Sequence, residues 1–264
     1  MLLGTGMPMS GSGYEVTDVV PQSPRSFGDG VCRGAYSPRS ALGRQRNACG
    51  PGAEVTVVPV LAADGATVTL GDTMLLAPTT FEVASGELWC VTGGNGTGKT
   101  TLLRAFLGSR GLTAGSVTVT GEPVDMAEPR HRRLVASLVE PIPVARDMTL
   151  REQVTLVAAS WYGNSAGTGE RAERIMERLG LSSLGDRFPH QVSSGQSQLF
   201  SLALTLVRPS GVVLLDEPER HLDGHRVDLV ATLLAERAGE GTAFLVATHE
   251  PALVDACDGR VELG

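Results

Sequence analysis

No apolar run in this 264-residue sequence reaches the ~18 to 20 residues needed to cross a bilayer. The longest late stretch, Phe200 to Leu215, is interrupted by Arg208, Pro209, Ser210 and Gly211. The first residues lack the charged-then-apolar pattern expected of a secretion signal. Any role at a membrane is therefore expected to run through a partner. Basic residues are also in the minority, 22 Lys and Arg against 29 Asp and Glu, for a formal net charge of −7. A broad nucleic-acid footprint needs clustered Lys and Arg to displace counterions, so no nucleic-acid partner is expected. A nucleotide, by contrast, needs only a local positive site. Cysteine is scarce, and none of Cys32, Cys49, Cys90 and Cys257 forms a C-x-x-C pair or stands at zinc-finger spacing from a His. Reduced thiols, usual in the cytosol, fit this best, and Cys90, inside an apolar run, reads as a small buried hydrophobe. Aromatics amount to 4% while hydrophobic residues reach 42%, a balance common in α/β proteins rich in Ala, Val, Leu and Gly. No internal repeat is present.

Residues 1–52 stand apart from the rest of the chain. Gly, Ser and Pro supply 21 of these 52 positions, and no hydrophobic period runs through them. Such a segment buries too little apolar area to offset its ordering entropy, so it is expected to be a disordered extension. From Ala53 the pattern changes. Val55 to Val60 and Thr67 to Leu70 read as two strands, Gly71-Asp72 as a turn, and Thr80 to Val83 as an alternating strand. Leu88 to Thr92 is a nearly continuous apolar run, the pattern of a strand buried on both faces. A Gly-rich loop comes next, then helical spacing from Thr101 to Leu107. The region from about 128 to 208 reads as mostly helical. Thr149-Leu-Arg-Glu152 is a capping box, Glu170 to Leu179 is amphipathic and stops at Gly180, and Gly195 to Val207 ends before Pro209. Val212 to Leu215 and Ala243 to Ala247 are further buried-strand runs, separated by helical spacing from Leu229 to Arg237. Strands alternating with helices predict a parallel sheet.

Gly93-Gly94-Asn95-Gly96-Thr97-Gly98-Lys99-Thr100 matches G-x-x-x-x-G-K-[ST] in the strand–loop–helix context this pattern requires. The glycines let backbone amides turn inward around phosphates, and the positive end of the next helix, at Thr101, adds to the attraction. Lys99 is placed to reach the outer phosphates, and the Thr100 hydroxyl to ligate Mg²⁺. Asp216 and Glu217 lie just past a buried strand, where open α/β sheets bind ligands. Asp216 suits a Mg²⁺ site, and Glu217 suits a general base acting on water. Together these two patterns resemble a P-loop nucleotide hydrolase.

Further elements narrow the resemblance. Val192-Ser193-Ser194-Gly195-Gln196 resembles the L-S-G-G-Q signature of ABC ATPases, with Gln196 standing 20 residues before Asp216. Leu222-Asp223 resembles the family's D-loop, and His249 its switch histidine. Asn95-Gly96 within the phosphate loop and Met148 to Glu152 also match the family's habit. Ser193, Ser194 and Gly195 would cap a helix in any reading. His131 and His190 read as structural, His221 and His225 as surface residues, and Trp161 and Tyr162 as helix-packing side chains.

The resemblance, in order from about 55 to 260, implies an ABC transporter ATP-binding protein. The implied fold is α/β, a RecA-like core with a small antiparallel β part and an inserted helical subdomain at about 130–205, all within 53–264. Two copies would pair head to tail, each ATP held between the Lys99 loop of one and Ser193, Ser194, Gly195 and Gln196 of the other, with Asp223 beside it. Glu217, His249 and Lys99 would act in hydrolysis, with Mg²⁺ at Thr100, Asp216 and Glu140. The partner would be an integral membrane subunit, and the chain would lie in the cytoplasm at the inner face of the cell membrane. Three departures from the family pattern stand out. Glu140 stands where a glutamine is expected, Thr69 and Leu70 where an aromatic usually stacks on adenine, and Ser194 and Leu199 where Gly and Arg are frequent. Two other readings stay open: a non-transport ABC ATPase, and an ATP-dependent dimerisation switch that hydrolyses weakly.

Overall fold

The computed structural model describes residues 59–125, 127–163 and 167–264. The expected disordered extension at 1–52 and the start of the first expected strand, 55–58, lie outside these residues. β1 (Pro59–Leu70) and β2 (Thr73–Ala84) form an antiparallel hairpin across Gly71-Asp72. β3 (Leu88–Gly93) runs through the Gly-rich loop into α1 (Lys99–Phe106). Then come β4 (Ala114–Val119), β5 (Glu122–Pro123), α2 (Pro129–Leu134) and β6 (Val135–Leu138). Three helices succeed them, α3 (Leu150–Tyr162), α4 (Gly167–Arg178) and α5 (Ser194–Leu206). The chain ends in β7 (Val212–Asp216), α6 (Gly224–Gly239), β8 (Ala243–Ala247), α7 (Pro251–Asp255) and β9 (Gly259–Leu263).

The strands form two sheets, an antiparallel one in the order β2-β1-β4-β5 and a parallel one in the order β6-β7-β8-β3-β9. Alternation along the parallel strands divides the core. Val213, Leu215, Phe244 and Val246 point to a cluster shared with α3, α4, α5 and α6. Val212, Leu214, Leu245 and Ala247 point the other way, to α1 and the antiparallel sheet. Both faces are covered, which is why the runs around 90, 213 and 245 are almost continuously apolar. Cys90 is fully buried among them, as its setting predicts. No helix among the described residues is long and apolar enough to cross a membrane.

Several elements differ from expectation. The two strands expected before Gly71 are one, since β1 passes through Asp64-Gly65 without ending. Its pairing with β2 shifts register between Ala63 and Ala66, and Gly65 takes a positive φ of 58° there, so a bulge absorbs the turn-like residues. The mostly helical reading of 128–208 misses β6, which pairs in parallel with β7 as an edge of the main sheet. α7 and β9 also carried no expectation. Elsewhere the signals hold. The Thr149 capping box starts α3, Gly180 adopts a left-handed φ of 66° just past α4, and Ser193 caps α5. Tyr162 and Trp161 lie under the guanidinium groups of Arg171 and Arg208, at 4.4 and 4.3 Å.

Candidate functional site

The parallel sheet delivers two loops to one edge, one after β3 and one after β7. The first is Gly93–Thr100. Gly93 has a φ of 145°, and a Cβ there would meet the Leu263 carbonyl oxygen at 2.3 Å. Gly98 has a φ of 104°, and a Cβ there would meet the Leu75 carbonyl oxygen at 2.4 Å. Both positions therefore require glycine on two counts. Gly98 precedes α1 without a capping side chain, so the first-turn amides of Lys99, Thr100 and Thr101 lack intrahelical acceptors and suit an anion. Gly94, Asn95 and Gly96 are at the loop tip, with Asn95 and Gly96 exposed. The Thr97 hydroxyl donates to the Gly94 carbonyl at 3.0 Å, closing the turn. Lys99 is buried to 9% exposure, and its ammonium donates to the carbonyls of Gly93 and Gly94 at 2.8 and 3.0 Å. The cation thus lies within the curl of the loop.

The second loop brings the carboxylates. Thr100 Oγ1 donates to Asp216 Oδ2 at 2.6 Å, bridging α1 and the end of β7. Burial pushes the Asp216 carboxyl above its ordinary value, and the Glu217 charge acts in the same direction. The Thr100 hydrogen bond and the cations Lys99 and Arg104 pull it back. Glu217 has a φ of 47°, a left-handed backbone that costs a non-glycine residue about 1–3 kcal/mol. Its backbone is pinned on both sides. Its N–H donates to Ala247 O at 2.8 Å, and its carbonyl accepts from Gln198 Nε2 at 3.3 Å and Arg220 N at 3.1 Å. Glu140, Asp216, Glu217, Gln198 and Arg220 line a cleft of about 180 Å³.

Two hard oxygens, Thr100 Oγ1 and Asp216 Oδ2, face one another at the loop. No group of three or more His, Cys, Asp or Glu among the described residues is arranged to hold a metal ion. A short set of oxygen donors fits Mg²⁺, which keeps waters and phosphate oxygens as most of its ligands. Glu140 reaches the same cleft, but its carboxylate is held by the Arg104 side chain, with Nε donating at 2.8 Å and the second nitrogen at 2.6 Å. Arg104 lies one helical turn past Thr100, so the charge that Glu140 brings to the site is balanced from α1. Nothing in the sequence pattern marks this pairing.

The remaining expected residues lie elsewhere. Ser193 accepts from the Gln196 N–H at 3.3 Å, while Gln196 Oε1 accepts from the Ser193 N–H at 2.9 Å. Ser193 and Ser194 lie at the surface, and a Cβ on buried Gly195 would meet the His221 carbonyl oxygen at 2.6 Å. No hydrogen bond joins 193–196 to the phosphate loop among the described residues. Asp223 caps α6 by accepting from Arg226 N at 3.0 Å. The His249 side chain is 73% exposed, with Nδ1 3.7 Å from the buried Glu219 carboxylate. Glu219 was not singled out from the sequence, where it reads as an acid in a polar loop. At the hairpin end, Thr69 is tied to Thr113 Oγ1 at 2.8 and 3.1 Å, while Leu70 and Met74 present exposed apolar side chains.

A lysine curled into a glycine loop, placed against an acid at the carboxyl end of a parallel sheet, is the site of a P-loop nucleotide hydrolase. Residues 76–220 match the family model described as ABC transporter. The chain is 34% identical over 193 residues to the lipoprotein-releasing system ATP-binding protein LolD 2 of Rhodospirillum rubrum, covering 69% of this chain and 82% of that protein. It is 30% identical over 197 residues to the glutamate/aspartate import ATP-binding protein GltL of Escherichia coli K12, covering 72% and 81%. A solved ATP-binding subunit of an ABC transporter superimposes with a TM-score of 0.66 at 25% identity, over 77% of this chain and 85% of that one. The chain belongs to the ABC transporter family, as an ATP-binding, ATP-hydrolysing subunit that powers transport.

Proposed function

We propose that two copies of this chain pair head to tail and enclose two ATP molecules, and that their opening and closing drives a separate integral membrane subunit. In this reading the backbone of Gly93 to Thr101 cradles the phosphates, and Lys99 leaves its two carbonyl acceptors for the outer phosphate oxygens. Thr100 and Asp216 hold Mg²⁺, which would neutralise phosphate charge. Glu140 joins them through its other carboxylate oxygen, its charge still balanced by Arg104. Glu217 takes the proton of the attacking water, and His249 contacts the terminal phosphate. Ser193, Ser194, Gly195 and Gln196 of the second copy cover the opposite side of the triphosphate, with Asp223 at the junction. Residues 53–264 form the nucleotide-binding domain, with its helical part within about 130–205. The chain then works in the cytoplasm, against the inner face of the cell membrane.

The observation that carries this reading is the 2.6 Å hydrogen bond from Thr100 to Asp216, which brings the phosphate loop and the acid of β7 to one point. The start of α5 supports the second half of the reading, because Ser193 and Ser194 lie at the surface, where a second copy would reach them at a helix N-terminus. Relatives named for glutamate/aspartate import and for lipoprotein release match this chain comparably, which supports a shared motor whose cargo is set by the membrane subunit. The test is hydrolysis by the purified full chain with Mg²⁺ and with EDTA, and its capture by a multispanning membrane protein from native membranes. Hydrolysis unchanged by EDTA would remove the metal assignment. Capture with nucleic acid or ribosomes in place of a membrane protein would remove the transport assignment.

A further inference from the structure

Among the described residues, Glu219 is the one carboxylate that is buried, at 7% exposure. It lies three residues past Asp216, on the turn after β7, where its carbonyl accepts from Leu222 N at 2.9 Å. Its Oε1 accepts from the fully buried Thr248 hydroxyl at 2.6 Å, and that hydroxyl in turn accepts from Glu250 N at 3.0 Å. The same Oε1 is 3.7 Å from His249 Nδ1, while Oε2 has no partner. A buried carboxylate with an unfilled oxygen is costly unless a donor completes it. Thr248 supplies one hydrogen bond from a neutral group, which leaves most of the charge unanswered. The imidazole of His249 sits beside that carboxylate on the next residue. At 3.7 Å the two are not hydrogen-bonded, but a ring movement of about 1 Å would make them so.

We infer that Glu219 is a positioning residue for ATP hydrolysis. Its carboxylate takes the Nδ1–H of His249 and turns Nε2 outward, toward the terminal phosphate. This rests on the reading of His249 as a group that contacts that phosphate. A carboxylate behind an imidazole holds a proton on Nδ1 and sets the ring direction, which leaves Nε2 as the nitrogen that presents an N–H to phosphate oxygens. Glu219 also shares a turn with Glu217, whose N–H is bonded to Ala247, one residue before Thr248. The general base and the histidine are thereby referenced to the same two strand ends.

The test is a double-mutant cycle in the full-length chain, reading kcat and ATP affinity separately. E219Q keeps the size of the side chain and an acceptor for Thr248 but removes the charge. It is expected to lower kcat on the order of 10- to 100-fold, as loss of a carboxylate behind a functional histidine does, with ATP affinity unchanged. The E219Q/H249A double variant is expected to be no slower than H249A alone, because Glu219 acts through the ring. Losses that multiply, or an E219Q variant with full kcat beside a slow H249A, overturn the inference and leave the role of His249 standing. An H249A variant with full kcat overturns the reading beneath it. If E219Q fails to bind ATP, the ¹⁵N spectrum of His249 in the unaltered chain with a non-hydrolysable ATP analogue decides. A ring that carries a proton on Nδ1 together with an Nε2–H supports the inference, and a ring without a proton on Nδ1 overturns it.

Discussion

Glu217 has a left-handed backbone although it is not glycine, and three backbone contacts hold it there. Strain retained next to Asp216 fits a side chain whose direction matters more than its cost. Glu217→Gln is expected to slow ATP turnover by ~10²–10⁴-fold, the usual worth of a general base. ATP binding should persist, and the variant should accumulate as an ATP-bound dimer on size-exclusion chromatography. A monomer alone under saturating ATP would count against the paired site. Arg104 and Glu140 form a pair of a different kind. Both side chains are substantially exposed, 42% and 61%, so the ion pair is worth at most about 1 kcal/mol. Arg104→Ala leaves the Glu140 charge unbalanced beside the phosphates. ATP affinity should fall by up to about 5-fold and recover when Glu140→Gln is added, as titration calorimetry would show. Lys99, Thr100, Asp216 and Glu217 were legible in the sequence because a loop pattern and a strand end fix their places. The Arg104 partner and the burial of Glu219 were not, because both depend on which turns of different elements meet in space.

Elements were readable wherever local chemistry marks their ends. Thr149 and Glu152 cap α3 reciprocally, with Thr149 N donating to Glu152 Oε2 at 2.7 Å. Thr149→Ala should cost about 1 kcal/mol, seen as a lower midpoint in urea with an unchanged slope. The same cap has a pH signature. Hydrogen bonds from the Thr149 backbone and then its hydroxyl lower the Glu152 pKa from its ordinary 4.5. A carboxylate whose folded value is depressed stabilises fully above its unfolded value and loses that contribution as pH falls through the folded one. The stability difference between wild type and Glu152→Gln should therefore shrink below about pH 4.5. β6 and β1 show where local signals fail. Val-Ala-Ser-Leu at 135–138 is four residues long, comes after a helix opened by Pro129, and becomes a strand only because β7 offers it a parallel edge. Asp64-Gly65 has the composition of a turn, yet β1 continues because β2 and β4 both pair with it and a bulge accommodates the extra length.

At the scale of the molecule, the sheet gathers Lys99, Thr100, Asp216 and Glu217 at one edge, while Ser193 to Gln196 open a helix end where Ser193 and Gln196 cap each other. If the second half of each site comes from a second copy, function should be recoverable by mixing two inactive chains. A Lys99→Ala chain retains its Ser193 end, and a Ser193→Arg chain retains its Lys99 loop. In a two-fold dimer of one of each, one site pairs Lys99 from one chain with Ser193 from the other and is whole, while the other site lacks both. Random pairing makes about half of the dimers mixed, so hydrolysis should rise to about a quarter of the wild-type rate when the sites act independently. Each variant alone should stay near background, and dilution that separates the copies should abolish the gain. Mixtures no faster than the sum of their parts would mean that Lys99 and Ser193 act on the nucleotide within one chain, and the head-to-tail arrangement would have to be abandoned.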